Sequence, residues 1–304
     1  MRPAASVIVF TVSAGAGYGL LALTAIVAPF GLLERRATLV AILVGVALAL
    51  ILAGLSSSTL HLGRPGRAWR AFSRWRSSWL AREGIAAIVG LPPAIAFGAL
   101  AALGRSQALA IAAGLAAALL AVVTLFCTAM IYASLTPIAR WRSPWTAPAY
   151  FAVALMSGAL LLAALAGPGF GPLAALAIGA AWAVKSNYWR APGLSPKSDA
   201  LSAALGVAPL GAARLLWSPD SPSAFVRAEL AVSPRIERDR LARAIVHVAL
   251  FAAPLTLTLL APLSGLGLAH AEIWLATGSA TVGVAVERWL FFVEAGHACG
   301  VYYR

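Results

Sequence analysis

Apolar residues fill most of this chain in long runs, and short polar segments separate one run from the next. A membrane-spanning helix needs about 20 mostly apolar residues. Eight runs of suitable length occur, at about 6–30, 39–60, 82–103, 107–135, 145–166, 171–189, 243–267 and 270–293. The pattern predicts an all-α polytopic membrane protein, a bundle of eight transmembrane helices that forms a single integral membrane domain over residues 1–304.

Two polar segments stand out between the runs. The first is a loop at 61–81 that is rich in arginine and tryptophan. The second is a linker at 190–242, where serine, proline and charged residues are typical of irregular chain facing water. Inside this linker, residues 201–217 are apolar but are interrupted by Pro209 and Arg214. We expect an interfacial or re-entrant segment there, with a full span as the alternative.

The amino-acid composition also indicates a membrane protein, and this changes how the positive net charge is interpreted. The chain is 61% hydrophobic and 11% charged, whereas a soluble domain is about one quarter charged. A net charge of +13 would suggest a nucleic-acid partner in a soluble protein. Here the arginines cluster between apolar runs, so they predict cytoplasmic loops and a docking face beside the lipid bilayer, and no nucleic-acid partner.

The distribution of lysine and arginine predicts the orientation of the chain. With eight spans, both termini and the loops after the second, fourth and sixth spans share one side, and this side carries most of the basic residues. The opposite side carries Arg35, Arg36 and Arg105. Because basic loops stay in the cytoplasm, we expect a multi-pass protein of the bacterial inner membrane with both termini cytoplasmic.

His61 and Glu83 are the candidate chemical groups of the first loop. One closes the second run and the other opens the third, so both are expected at the same membrane face. A quinone takes up two protons and two electrons on reduction, and a quinol releases them on oxidation. Imidazole suits hydrogen bonding to the ring oxygen, and an interfacial carboxylate suits proton exchange with water. The alternatives are a structural histidine and a carboxylate that stabilises the first turn of a helix.

Other residues of the loop are candidates for the same site. Arg64 or Arg67 would hold Glu83 ionised or polarise a quinone oxygen. Trp69 and Trp79 would pack against the quinone ring or its tail, or would anchor the loop at the interface. The alternative for the arginines is that they determine only the orientation of the chain.

Tyr18 lies in the segment SAGAGYGL, among small residues. The glycines predict close helix packing. We expect the tyrosine hydroxyl to find a backbone partner, and we also count Tyr18 among the candidate quinone contacts.

Further charged residues occur in or near the sixth and eighth runs. Glu272, Glu287, Arg288 and Glu294 lie in or near the eighth run. Glu287 and Arg288 are expected to pair within the bundle, and a role of this group of residues in a proton path is a second interpretation. Lys185 near the end of the sixth run is interpreted as an interfacial anchor.

The chain offers no clear set of metal ligands. Cys127 and Cys299 do not form a CxxC pair, so we expect neither an iron–sulfur nor a zinc site, and Cys127 is expected to be a small core residue. His247, His270 and His297 make no convincing pair for haem. We therefore expect no haem or metal on this chain.

A motif gives the first loop a family resemblance. The segments HLGRPGRAWRAF and SSWLAREGI resemble the membrane anchor subunits of the dimethyl sulfoxide reductase family, which carry His-Leu-Gly-x-Pro-x-Arg-Ala and then an acidic residue at the start of the next helix. The resemblance carries the quinol-site histidine and acid onto His61 and Glu83, and the motif arginine onto Arg67. Arg64 occupies the variable position of the motif.

The opening SVIVFTVSAGAGYGLL and the SRWRSSWLAREG segment are most similar to one branch, the anchors of membrane-bound cytoplasmic sulfite dehydrogenases. This resemblance implies a quinone-binding anchor without catalytic residues, which uses ubiquinone or menaquinone. It implies as partners an iron–sulfur electron-transfer subunit and a molybdopterin catalytic subunit, where the molybdenum chemistry takes place.

Three alternatives stay open at this stage. The first is an anchor of a dimethyl sulfoxide reductase-type enzyme, which oxidises quinol. The second is an anion transporter with the basic loop at its mouth, for which mid-membrane polar groups and an internal repeat would be expected. The third is a purely structural tether with quinone bound elsewhere.

Overall fold

A computed structural model of the chain describes residues 4–33, 37–59, 65–136, 138–191 and 236–295. Across these ranges the regular secondary structure is helical and contains no strand, which confirms the all-α prediction. The segment 201–217 and most of the linker at 190–242 lie outside the described residues.

The helices coincide closely with the apolar runs. They are α1 (Ala5–Val27), α2 (Ala37–Thr59), α3 (Trp79–Ala102), α4 (Gln107–Ala133), α5 (Thr146–Ala166), α6 (Gly171–Arg190), α7 (Ile236–Val246), α8 (Ala253–Leu260) and α9 (Leu266–Val293). A π-helical turn, His247–Ala252, joins α7 to α8 in one continuous rod, and a 3-10 segment, Pro65–Arg74, precedes α3. Helix α7 begins inside the predicted linker.

Six helical stretches of the described part are long and apolar enough to cross a membrane: Ala5–Phe30, Thr38–Thr59, Trp79–Ala102, Gln107–Ala133, Thr146–Ala166 and Arg240–Leu263. Helices α6 and α9 coincide with the other two predicted runs, but each carries buried charged side chains that lower its hydropathy. A multi-pass helical protein is therefore confirmed, whereas the count of eight spans is not.

Hydrogen bonds between helix ends define one end of the bundle. The Ser57 hydroxyl, late in α2, donates to the Ser6 carbonyl at the start of α1 (3.0 Å). The Trp141 indole, just before α5, donates to the Phe291 carbonyl near the end of α9 (2.8 Å). Helices α1, α3, α5 and α7 begin at this end, and α2, α4, α6 and α9 finish there. We call it the Glu83 end.

Glycines bring α1 very close to its neighbours on both sides of Tyr18. A Cβ atom at Gly17 would lie 2.7 Å from the Ala47 carbonyl oxygen of α2. A Cβ atom at Gly19 would collide with the Ala154 carbonyl of α5, and one at Gly158 of α5 would collide with the Gly19 backbone. Such backbone approach between helices requires small residues, as the sequence predicted.

The π-helical turn has an identifiable local cause. Pro254, two residues after the turn, has no N–H to donate, so the regular helical hydrogen bonding cannot continue through it. The Ser279 hydroxyl of α9 donates to the Ala249 carbonyl inside the turn (2.9 Å). A neighbouring helix thereby supplies a hydrogen bond to a segment of irregular backbone, as apolar surroundings require.

The contact between α1 and α5 gives a direct test of this packing. We expect Gly19→Ala to lower the free energy of unfolding by about 1–3 kcal/mol, because the added methyl group forces two backbones apart. The matched control is Gly45→Ala on α2, where the Cβ atom meets nothing within 4 Å. Thermal unfolding midpoints in detergent compare the two variants, and equal midpoints would contradict the packing described here.

Candidate functional site at the Glu83 end

The segment before α3 is docked onto that helix by two contacts. The Phe72 ring lies where a side chain at position 84 would lie, with its Cε1 atom 2.7 Å from a Cβ atom placed on Gly84. The Arg82 guanidinium donates to the carbonyls of Trp75 (2.9 Å) and Arg76 (2.6 Å). The polar segment is therefore fixed beside Glu83.

Glu83 lies inside the bundle, one turn into α3. Ser78 caps this helix, and its hydroxyl accepts a hydrogen bond from the Ala81 N–H (3.4 Å). Glu83 lies one turn further along, on the buried face of the helix. The side chain is 4% exposed. Its carboxylate accepts a hydrogen bond from the Thr128 hydroxyl of α4. Among the described residues, no lysine or arginine forms an ion pair with Glu83.

Thr128 is placed to respond to the protonation state of Glu83. Its hydroxyl lies within hydrogen-bonding distance of both the Glu83 carboxylate and the Thr124 carbonyl (3.0 Å to the latter). A hydroxyl has one hydrogen to donate. With Glu83 ionised, Thr128 donates to the carboxylate. With Glu83 protonated, the carboxyl donates to Thr128, and the threonine hydrogen turns to Thr124.

Tyr18 joins this cluster from α1. It is 6% exposed and lies close enough to Glu83 to interact with it electrostatically. It approaches Thr124, whose own hydroxyl donates to the Leu120 carbonyl (2.7 Å). Within the described part of the chain, the Tyr18 hydroxyl makes no hydrogen bond of normal geometry. The expected backbone partner is therefore absent there, and the Tyr18 side chain lines an internal cavity that Thr128 also lines.

The structure separates the remaining candidates of the first loop from this buried cluster. Trp79 packs edge-on against Phe126 of α4, with ring centroids 5.7 Å apart. Trp69 is 66% exposed, and Arg67 is exposed on the outside of the 3-10 segment. His61 and Arg64 lie outside the described residues.

A second buried cluster lies at the same end, between α6 and α9. The Lys185 ammonium and the Arg288 guanidinium both contact the Glu287 carboxylate, and Arg288 Nε lies 2.8 Å from Glu287 Oε2. The three side chains are at most 3% exposed. The predicted pairing of Glu287 with Arg288 is confirmed. Two cations against one carboxylate give the cluster an excess of one positive charge.

Aromatic rings surround this charge cluster. The Arg288 guanidinium carbon lies 4.0 Å from the centroid of the Tyr150 ring, and the Lys185 nitrogen lies 4.1 Å from that of Tyr188. Such contacts stabilise cations in a medium of low polarity. Neither tyrosine hydroxyl makes a hydrogen bond of normal geometry to any described residue.

A third carboxylate connects the cluster to the surface. Glu294, just after α9, accepts a hydrogen bond from Arg243 Nε of α7 (2.8 Å), and its second oxygen lies 3.8 Å from Arg140 Nε. The Arg243 side chain is 42% exposed. Tyr188 lies within electrostatic range of both Glu287 and Glu294.

Sequence reasoning missed two members of these clusters. Thr128 gave no signal, because an isolated threonine in an apolar run is common and often bonds to its own helix. Lys185 was interpreted as an interfacial anchor, but it is 2% exposed and paired with Glu287. The available signal was a lysine in the sixth run and an unexplained Glu-Arg pair in the eighth, since intramembrane charges seek partners. The prediction that Cys127 is a core residue is confirmed.

Apolar helices of this length around buried polar clusters define a multi-pass membrane protein. Residues 1–170 match the family model of the DMSO reductase anchor subunit (DmsC). The chain belongs to this family, as its loop motif indicated.

A curated relative extends the similarity to the whole chain. The chain is 31% identical over 330 aligned positions to a sulfite dehydrogenase subunit from Allochromatium vinosum, and the alignment covers 100% of this chain and 99% of the relative. The resemblance to the sulfite dehydrogenase branch is thereby confirmed.

The charge cluster predicts unequal effects of two neutral substitutions. Glu287→Gln leaves Lys185 and Arg288 as two buried cations without their carboxylate, and we expect it to cost about 3–5 kcal/mol of stability. Lys185→Met leaves the Glu287–Arg288 pair intact and should cost much less. Thermal unfolding of both variants in detergent checks this order. A Lys185→Met variant as unstable as Glu287→Gln would show that the excess charge is not the deciding factor.

Proposed function

We propose that this chain is the quinone-binding membrane anchor of a three-subunit molybdopterin oxidoreductase, and that it passes electrons between membrane quinone and an iron–sulfur subunit. The observation that carries the proposal is the buried Glu83 carboxyl, held by Thr128 beside a docked polar loop. An ionisable group buried among apolar helices costs free energy, so such groups are rare and usually have a function.

The side chains present suit a quinone head group. Trp79 precedes Glu83 by one turn on α3, and its ring packs edge-on against Phe126 with the Arg82 guanidinium carbon 4.2 Å from its centroid. In this proposal the head group would pack beside this aromatic pair, because ring stacking suits a planar ligand. His61 would hydrogen-bond a ring oxygen, and Glu83 would exchange protons with it. In this proposal Arg67 acts on the head group or on the loop from its exposed position. A bound quinone supplies the electron chemistry, while the protein holds the ring and moves the protons.

The exposed surface beside the site suits a protein partner. Between Pro65 and Ser78 the guanidinium groups of Arg70 and Arg76 lie over the exposed rings of Trp69 and Trp75, at 5.6 and 5.4 Å from their centroids. Arginine and tryptophan are enriched at interfaces. We infer that this face docks the iron–sulfur subunit, which connects to the molybdopterin subunit. The face would be cytoplasmic in the inner membrane, as would both termini.

Similarity to a sulfite dehydrogenase subunit favours sulfite oxidation as the reaction of the complex, with quinone as the electron acceptor. The match to the DMSO reductase anchor family supports a second candidate, in which the same site oxidises quinol. Family membership favours an anchor over the anion transporter considered from sequence alone.

The site predicts a selective loss of quinone-linked turnover. We expect His61→Ala and Glu83→Gln each to reduce it by about 100-fold or more, because each removes a group that binds the ring oxygen or transfers its proton. Activity of the same membranes with an artificial dye should stay near wild type, since the dye takes electrons from the partner subunits directly.

The matched control is Glu272→Gln on α9. Glu272 accepts a hydrogen bond from Ser264 (3.0 Å) at the opposite end of the bundle. This variant should keep both activities. Near wild-type quinone activity in His61→Ala and Glu83→Gln would show that the quinone site lies elsewhere and that the loop serves only docking and orientation.

A further inference from the structure

The burial of Glu83 raises the question of how its protons reach water. The carboxyl is 4% exposed, and its hydrogen-bonding partner, Thr128, is 6% exposed. Direct exchange with the surface therefore requires either local opening or an internal path. On its far side, Thr128 lines a narrow cavity between α1, α4, α5 and α9.

This cavity collects polar groups whose hydrogen bonding within the described residues is incomplete, with Tyr150 beside Arg288 and Tyr18 beside Thr124. The hydroxyls of Tyr18 and Tyr150 and the Nη1 atom of Arg288 make no hydrogen bond of normal geometry to the described residues, and all three side chains line the cavity. Each of these side chains is at least nine-tenths buried. Leaving a buried polar group unsatisfied costs about 1–3 kcal/mol, so three of them in one cavity point to a ligand.

The size and the lining of the cavity select the ligand. The volume open to the centre of a water molecule is about 20 Å³, whereas about 10–15 Å³ is enough for one water. A quinone ring does not fit this space. A buried water needs two to four polar partners, and Tyr18, Tyr150, Arg288 and Thr128 provide them.

On the other side of the cavity, the polar groups continue toward the surface. Arg288 contacts Glu287, which contacts Lys185. Glu294 follows Glu287 by two helical turns, just past the end of α9 and roughly 10 Å along its axis, and Tyr188 lies within electrostatic range of both carboxylates. Glu294 is bonded to the partly exposed Arg243.

We propose that the protons exchanged at Glu83 cross the bundle through ordered water in the cavity lined by Tyr18, Tyr150 and Arg288. They would reach solvent through Glu287, Lys185 and Glu294. The proposal rests on the proposed function, in which Glu83 exchanges protons with quinone. Tyr18 and Tyr150 then act as positioning residues for the water, not as contacts of the quinone.

The proton balance is simple for either direction of turnover. When Glu83 gives a proton to the quinone, Thr128 passes its hydrogen to the carboxylate and takes one from the cavity water. The water is replenished from the Glu287 side by further water passing Arg288, whose guanidinium stays protonated and only orients the water, so one proton enters from solvent for each one delivered. Quinol oxidation reverses every transfer, and the electrons travel separately through the partner subunits.

The test uses membranes that contain the assembled complex and the variants Tyr18→Phe and Tyr150→Phe, which remove one hydroxyl each and keep the ring. We expect each to slow quinone-linked turnover by about tenfold. We also expect each to increase the ratio of the turnover rate in H₂O to the rate in D₂O, because proton delivery becomes rate-limiting. Dye activity should stay at the wild-type level, which also reports that the complex is assembled.

The control is Thr258→Val on α8. This variant removes a buried hydroxyl that donates to the Pro254 carbonyl (2.9 Å) and does not line the cavity, and it should change neither the rate nor the isotope ratio. Infrared difference spectra on quinone reduction supply an independent measurement. We expect an O–H band that shifts in H₂¹⁸O in the wild type and is lost in Tyr150→Phe.

The outcomes separate this proposal from the proposed function. If Glu83→Gln is impaired while both tyrosine variants stay within about twofold of wild type and keep the wild-type isotope ratio, the route through the cavity is wrong and the quinone site stands. If Glu83→Gln is itself unimpaired, both are wrong.

Discussion

The cost of placing charge inside an apolar bundle is the constraint on which this structure depends. An unpaired ion at such a position costs several kcal/mol, and in the described part of the chain three carboxylates of the interior each have a partner. Glu83 has the Thr128 hydroxyl, Glu287 has two cations, and Glu294 has Arg243. All of these groups lie at the Glu83 end. The chain therefore concentrates its polar interior on one side, where the polar loop also docks.

The glycines of α1 connect the packing of the bundle to this site. Gly17 and Gly19 allow α1 to contact the backbones of α2 and α5, and the side chain between them is Tyr18. The same contact between α1 and α5 brings Tyr18 and Tyr150 to one cavity. From the sequence, the segment SAGAGYGL indicated only close helix packing. In the structure it also places the Tyr18 side chain in the interior of the bundle.

The sequence predicted the helices well, because hydrophobic run length determines them almost alone. It also brought out Glu83 and Tyr18, and both lie in one buried cluster. The roles of Thr128 and Lys185 could not be predicted from the sequence. They depend on which helices are neighbours in the bundle, and hydrophobic periodicity does not show which helices these are. The count of eight spans is not confirmed for a related reason. Helices α6 and α9 carry the charged side chains Lys185 and Glu287, which pair with each other. A mean hydropathy counts each charge as unfavourable and takes no account of such pairing.

The most direct test of the central claim is a structure of the assembled complex with a quinone or a quinone-site inhibitor bound. We expect the head group at the Glu83 end, within hydrogen-bonding distance of His61 or Glu83 and against Trp79. A second, open cavity at the opposite end of the bundle is lined by Phe97, Leu100 and Arg105. A head group bound there, with Glu83 free of any ligand, would show that Glu83 is not part of the quinone site.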